Sequence, residues 1–201
     1  MKIALLDYGA GNVASVERAL QRLGAESQRA TTPEGVASAQ ALLLPGVGHF
    51  ETLIRALDDR KLRAPLVDAI RGGVPFLGIC LGLQALFAAS DEAPELAGLQ
   101  LLPGRVRSLP PVVKLPHMGW NRLLFKCKSS LLEGVAADSY FYFAHTYAAI
   151  DQREETVAAC SYGTEFVAVL EKENMFAVQF HPEKSGEAGA QVLRNFLRLC
   201  A

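Results

Sequence analysis

Apolar and polar positions follow two different periods along this chain. Ile3-Ala4-Leu5-Leu6 and Ala41-Leu42-Leu43-Leu44 are unbroken apolar runs, the pattern of strands covered on both faces. Between them Val13, Val16, Leu20 and Leu23 recur at helical spacing, which predicts a helix over 12–23. Gly9 and Gly11 break the first strand, Asn12 stands where an N-cap belongs, and Gly24 stands where the helix should stop. Pro45-Gly46-Val47-Gly48 cuts off the second apolar run. Next come a helix around 50–57, another opened by Pro65 and stopped at Gly72-Gly73, a strand over 74–79 and a helix over 81–89.

The later half changes character. Prolines punctuate 103–116, leaving Val106 and Val112-Val113 as short strand candidates. Tyr140-Phe141-Tyr142-Phe143 predicts a strand whose alternate residues face a core. Segments 156–161, 166–170 and 175–180 predict a meander, and Val192, Phe196 and Leu199 mark a closing helix over 187–199. The fold class is α/β: a central mixed, mostly parallel sheet flanked by helices, with antiparallel strands added in the second half.

With 201 residues, 50% of them hydrophobic, a chain can bury roughly 70% of its unfolded surface. That predicts one domain over 1–201. The 20 basic and 21 acidic residues argue against a nucleic-acid backbone binder, which depends on clustered positive charge. The first apolar run ends at Asp7, too short for a signal segment, and no run is long enough to span a bilayer. The expectation is a cytoplasmic protein bound to neither membrane nor nucleic acid. The four cysteines, Cys80, Cys127, Cys160 and Cys200, form no Cys-x-x-Cys pair, so no metal site and no cofactor is expected.

Three segments carry candidate chemistry. In Gly78-Ile79-Cys80-Leu81-Gly82 a strand enters, a helix leaves, and glycines stand two residues either side of a cysteine. This is the cysteine form of a nucleophile elbow. A helix N-terminus aimed at the sulfur favours thiolate. The same residues also fit a buried cysteine at an ordinary strand–helix junction. His181-Pro182-Glu183 follows a predicted strand, and side chains two apart on extended backbone share a side. Glu183 can then orient His181 as a base, although a solvated pair at a strand end reads the same way. Pro45-Gly46-Val47-Gly48 lies where open α/β sheets place ligands, and its amides could hold an oxyanion or simply form a turn.

Taken together, Gly-Ile-Cys-Leu-Gly-Leu-Gln and the late His-Pro-Glu resemble the class I, triad-type glutamine amidotransferases, whose fold is flavodoxin-like. The resemblance spans essentially the whole chain. Asp7-Tyr8-Gly9-Ala10-Gly11-Asn12, Pro45-Gly46-Val47-Gly48, Pro116-His117-Met118-Gly119-Trp120-Asn121 and His181-Pro182-Glu183-Lys184-Ser185 resemble more narrowly the glutaminase subunits of imidazole glycerol phosphate synthases. His49 departs from that pattern, standing where a small residue is expected.

The resemblance implies the following roles. Cys80 is the nucleophile, His181 the base and Glu183 its orienter. The amide of Leu81, with one from Val47 or Gly48, forms the oxyanion hole. Gly46, Gln84, Glu92, His145, Thr146 and Tyr147 bind L-glutamine, Glu92 facing its α-ammonium. Asn12, His117, Met118, Trp120, Asn121, Tyr142 and Lys184 lie toward the partner interface and the ammonia exit. The implied partner is a (β/α)8 cyclase subunit in a heterodimer, which uses the ammonia to form imidazole glycerol phosphate and AICAR in L-histidine biosynthesis. Glycine on both sides of Val47 would let its peptide rotate, holding the site slow until the partner is loaded. The competing readings are a glutaminase serving anthranilate, aminodeoxychorismate or pyridoxal phosphate synthesis, a stand-alone γ-glutamyl hydrolase, and a non-catalytic scaffold of the same fold.

Overall fold

The computed structural model describes residues 2–9 and 12–200. Gly11, read as a strand break, and the Ala10-Gly11 part of the N-terminal motif lie outside the described residues. The strands are β1 (Ile3–Leu6), β2 (Ser27–Ala30), β3 (Ala41–Gly46), β4 (Phe76–Cys80), β5 (Phe87–Ser90), β6 (Leu102–Ser108), β7 (His117–Arg122), β8 (Leu124–Phe125), β9 (Tyr140–His145), β10 (Tyr147–Ala149), β11 (Thr156–Ser161), β12 (Glu165–Lys172) and β13 (Met175–Val178). The helices are α1 (Val13–Arg22), α2 (Pro33–Ala37), α3 (Phe50–Asp59), α4 (Arg63–Arg71), α5 (Leu81–Gln84) and α6 (Gly186–Leu199).

An eight-stranded sheet runs in the order β2-β1-β3-β4-β13-β12-β11-β8. It is parallel from β2 through β13 and antiparallel beyond, so the late strands extend one edge as a meander. A three-stranded sheet, β10-β6-β5, and a two-stranded ribbon, β7-β9, complete the β-structure. The apolar runs alternate between two cores, as a period of two requires. Ala4, Leu6, Leu42, Leu44 and Phe76 face the α2–α4 side, while Ile3, Leu5, Leu43, Leu77 and Ile79 face α1 and α6. On α3, Phe50, Leu53, Ile54 and Leu57 are fully buried at helical spacing. With 10 residues, α3 is too short to persist alone, and this burial holds it in place.

Several elements differ from the sequence pattern. The helix expected over 81–89 stops at Gln84. The carbonyls of Ala85, Leu86 and Ala88 accept from Leu99, from Leu101 and Leu102, and from Gly98. They are therefore unavailable to continue a helix, and Phe87–Ser90 pairs as a strand instead. Only glycine allows this approach, because a Cβ on Gly98 would lie 2.0 Å from the carbonyl oxygen of Phe87. Pro45 and Gly46 do not end β3 but continue it, pairing with Ile79 and Cys80. Val112-Val113 is a turn, not a strand. Pro110 and Pro111 before it cannot donate to a ladder.

Candidate active site

The parallel strands β1, β3, β4 and β13 all deliver their carboxyl ends to one edge of the sheet, where open α/β sheets bind ligands. Cys80 ends β4 and immediately precedes α5 with φ 54° and ψ −102°, a conformation that costs a non-glycine residue about 1–3 kcal/mol. The flanking glycines make the turn possible. A Cβ on Gly78 would lie 2.7 Å from the Gly82 carbonyl oxygen, and one on Gly82 would lie 2.0 Å from that of Leu44. The elbow is thus wedged between its own helix and β3. Leu81 opens α5, and the first amides of a helix have no intrahelical acceptor. With four residues, α5 supplies those amides rather than a long helix dipole.

His181 and Glu183 come together through a tight turn rather than along an extended strand. β13 stops at Val178, and Pro182–Lys184 forms a single 3₁₀ turn. His181 Nδ1 donates to Glu183 Oε1 at 2.9 Å, with both side chains almost wholly buried. Asn12 Nδ2 donates to the same oxygen at 2.7 Å. This fixes the tautomer and leaves Nε2 for the cysteine. Burial works against a charge on His181, but hydrogen bonds to Cys80 and Glu183 and their negative charges outweigh it and raise the imidazole to about 10. The ring therefore holds a proton beside the nucleophile at neutral pH.

Beside Cys80 lies a cavity lined by Val47, Gly48, Leu81, Gln84, Glu92, Pro116, Ala144, His145, Thr146 and Tyr147. At about 160 Å³ it is smaller than the roughly 300–1,000 Å³ of pockets for larger ligands, a scale suited to one amino acid. Glu92 Oε2 accepts from the Phe50 amide at 2.8 Å, so the first turn of α3 holds the carboxylate at the cavity wall. His49 has a structural task here. Its Nδ1 caps α3 by accepting from the Glu51 amide, and its Nε2 stands 3.9 Å from Glu92. The structure does not bring Gly46 into the cavity lining; a Cβ there would strike Leu81 at 2.6 Å. Tyr8, buried under the same strand, sets its hydroxyl against Gly46, facing the Val47 amide. Burial pushes this phenol up to about 12.

The β7-β9 ribbon sorts its residues by face. Met118 and Trp120 are 65% and 55% exposed. Trp120 lies opposite Tyr142 with an edge-to-face contact, and Lys184 reaches over the Tyr142 ring. His117 and His145, directly paired, point inward. Because the Tyr147 carbonyl can only accept, His145 Nδ1 donates to it at 2.9 Å, and His145 Nε2 accepts from His117 Nδ1 at 3.1 Å. The Asn121 amide faces the other nitrogen of His117 at 3.4 Å and donates to the Ser161 carbonyl. Burial pushes His117 down to about 4; burial, with His117 beside it, pushes His145 down to about 3. Both rings are therefore neutral hydrogen-bonding parts. The ribbon is also tied to the triad: the His181 amide donates to the Tyr142 carbonyl at 2.9 Å.

The sequence pattern did not single out Pro116 and Ala144 for the cavity, nor Gln179. Gln179 is fully buried and donates to Cys80 Sγ at 3.5 Å. A lone amide inside the apolar run 175–180 is the signal that could have pointed to it.

A cysteine elbow, a buried imidazole and a carboxylate at the carboxyl edge of a parallel sheet define a triad amidohydrolase of the amidotransferase kind. The glutamine amidotransferase class-I family model matches residues 4–200. A solved structure described as a glutamine amidotransferase superposes with a TM-score of 0.79 at 20% identity, covering 98% of both chains. Among curated proteins, the imidazole glycerol phosphate synthase subunit HisH of Methanothermobacter thermautotrophicus is 49% identical over 197 residues, 98% of each chain. That of Moorella thermoacetica is 45% identical over 195 residues, covering 96% of this chain and 93% of its own. The chain belongs to the class-I glutamine amidotransferases and, within them, to the HisH subunit family.

Proposed function

We propose that this chain is the glutaminase subunit of an imidazole glycerol phosphate synthase, hydrolysing L-glutamine and passing ammonia to a cyclase subunit for histidine biosynthesis. One observation carries the chemistry: His181 is buried between Cys80 and Glu183 at a cavity of amino-acid size. The Cys80 thiolate attacks the side-chain amide carbon, and the developing oxyanion takes amides of Leu81 and of Val47 or Gly48. His181 gives its proton to the departing nitrogen, the C–N bond breaks, and ammonia leaves behind a γ-glutamyl thioester. Water, deprotonated by His181, cleaves the thioester to glutamate and restores the thiolate.

Glu92 meets the substrate's α-ammonium, and the wall formed by Gln84, His145, Thr146 and Tyr147 receives the rest of the amino acid. The exposed Met118 and Trp120, with Tyr142 and Lys184, form the docking face for a (β/α)8 cyclase. The bond between Tyr142 and the His181 backbone gives docking a short route to the base. The Val47 amide faces Tyr8, so rotation of that peptide is the step by which a loaded partner completes the oxyanion hole. No helix among the described residues is long and apolar enough to cross a membrane, and we place the enzyme in the cytoplasm.

The deciding assay is glutamine hydrolysis by the chain alone and with a cyclase subunit holding its nucleotide substrate. Rates should rise steeply in the complex. Cys80→Ala should abolish glutamine-dependent synthesis while added ammonia still sustains it. Equal rates with and without the cyclase would overturn the coupled reading.

A further inference from the structure

Gln179 is fully buried between the end of β13 and His181, and its amide is fixed from one end to the other. The Tyr147 carbonyl accepts from Gln84 Nε2 at 2.8 Å, which settles which end of the Gln84 amide carries the hydrogens. The same Nε2 donates to Gln179 Oε1 at 3.3 Å. Gln179 is left with only its Nε2 hydrogens for the sulfur, 3.5 Å away. Turning the Gln179 amide over would set two NH₂ groups face to face and aim an oxygen lone pair at Cys80. Three groups in series, starting from a backbone carbonyl, therefore hold one donor on the nucleophile.

We propose that Gln179 is a catalytic residue: its amide donates to the Cys80 thiolate, oriented for that task by Gln84. This deepens the glutaminase reading and rests on it. A buried anion needs donors, and hydrogen bonds to charged groups are the strong ones. His181 is one such donor, but it must surrender its proton to the departing nitrogen. Before attack, and again when water expels the sulfur from the thioester, the thiolate needs a donor that cannot protonate it. A carboxamide meets that need, because it donates without acting as an acid at neutral pH. It also fixes the sulfur's direction at a residue whose backbone is already strained.

The test reads the sulfur directly, so it separates this inference from the glutaminase reading. In the assembled complex, Gln179→Met keeps the length of the side chain and removes the amide. Alkylation of Cys80 by iodoacetamide at pH 7 should slow about tenfold, the effect of one hydrogen bond to a charged group. Glutaminase kcat should fall by a similar factor with KM little changed, while the variant's urea midpoint and its binding to the cyclase stay those of the wild type, the check on folding. An alkylation profile and kcat like those of the wild type would overturn the proposal. Should the variant fail to fold, the wild-type protein decides. The side-chain amide protons of Gln179 should shift when Cys80 is alkylated, and resonances indifferent to that modification would overturn the proposal equally.

Discussion

Asn12 donates to Oε1 of Glu183 at 2.7 Å, joining the entrance of α1 to a turn 171 residues later in the chain. The same oxygen accepts from His181, so Asn12 positions the orienter rather than the base. The resemblance placed Asn12 toward the ammonia exit, and this bond adds a task inside the triad. Asn12→Ala should lower glutaminase kcat by about tenfold, the scale of one hydrogen bond to a charged group. Asn12→Asp should be worse, because two carboxylates would then face each other. Steady-state kinetics of the complex, with glutamine and then with ammonia, checks both. An Asn12→Asp variant as active as Asn12→Ala would show that this bond does not govern Glu183.

The backbone of Cys80 stores strain that glycine would not. Its φ of 54° lies where a Cβ is disfavoured. Cys80→Gly and Cys80→Ala should both be inactive with glutamine. The glycine variant should be the more stable by about 1 kcal/mol. Urea unfolding of the two variants side by side measures the difference. Coincident midpoints would mean the elbow is relaxed at this residue.

Much of this architecture was legible in the chain because local patterns and tertiary demands agree. Residues 41–44 read as a doubly covered strand and are one, although β3 runs on through Pro45 and Gly46. Cys80 has a glycine two residues away on either side, and His181 and Glu183 flank a proline, residue types that punctuate strand ends. Legibility failed where distant backbone overruled local preference. Residues 85–89 carry helix-forming side chains, yet amides of residues 98–102 claim their carbonyls, and that contact leaves no periodic trace. The reason given for the His181–Glu183 pairing also differed from the geometry, since the 3₁₀ turn, not extended backbone, brings them together. Gln179 escaped notice because a strand pattern weights apolar neighbours and says nothing of a polar residue that completes another residue's hydrogen bonds.

Stability should peak near neutral pH for opposite reasons on its two sides. Unfolded histidines titrate near 6.5. Below that, the unfolded chain takes up protons that folded His117 and His145 refuse until about 4 and about 3. Stability from these two rings is therefore full above about 6.5 and is lost as the pH falls toward those values. His181 behaves oppositely: its folded value is about 10, so its contribution is full below about 6.5 and is lost as the pH rises toward 10. His117→Phe, which keeps a ring between Tyr162 and Phe143, should flatten the acid limb and spare the alkaline one. His181→Ala should do the reverse. Urea midpoints at pH 5, 7 and 9 distinguish the limbs, and a limb unmoved by its own variant would contradict the assignment.

One of the two closest glycine approaches among the described residues should also be among the least forgiving. A Cβ on Gly82 would stand 2.0 Å from the Leu44 carbonyl oxygen, and both groups are backbone. Relief requires β3 and the elbow to separate, which would carry Val47 and Gly48 away from Cys80. Gly24 provides the contrast, with φ +75° but nothing within 4 Å of an added Cβ. Gly24→Ala should cost about 1 kcal/mol through backbone strain alone and leave turnover unchanged. Gly82→Ala should cost more than about 3 kcal/mol, a size reserved for mutations that disrupt packing. Whatever folds should hydrolyse glutamine poorly even in the complex. Chemical unfolding and glutaminase assays on the two variants decide, because a clash acts on both readouts and φ strain at Gly24 on stability only. If Gly82→Ala proved no costlier than Gly24→Ala, the wedge between elbow and β3 would not be what holds the nucleophile against its oxyanion strand.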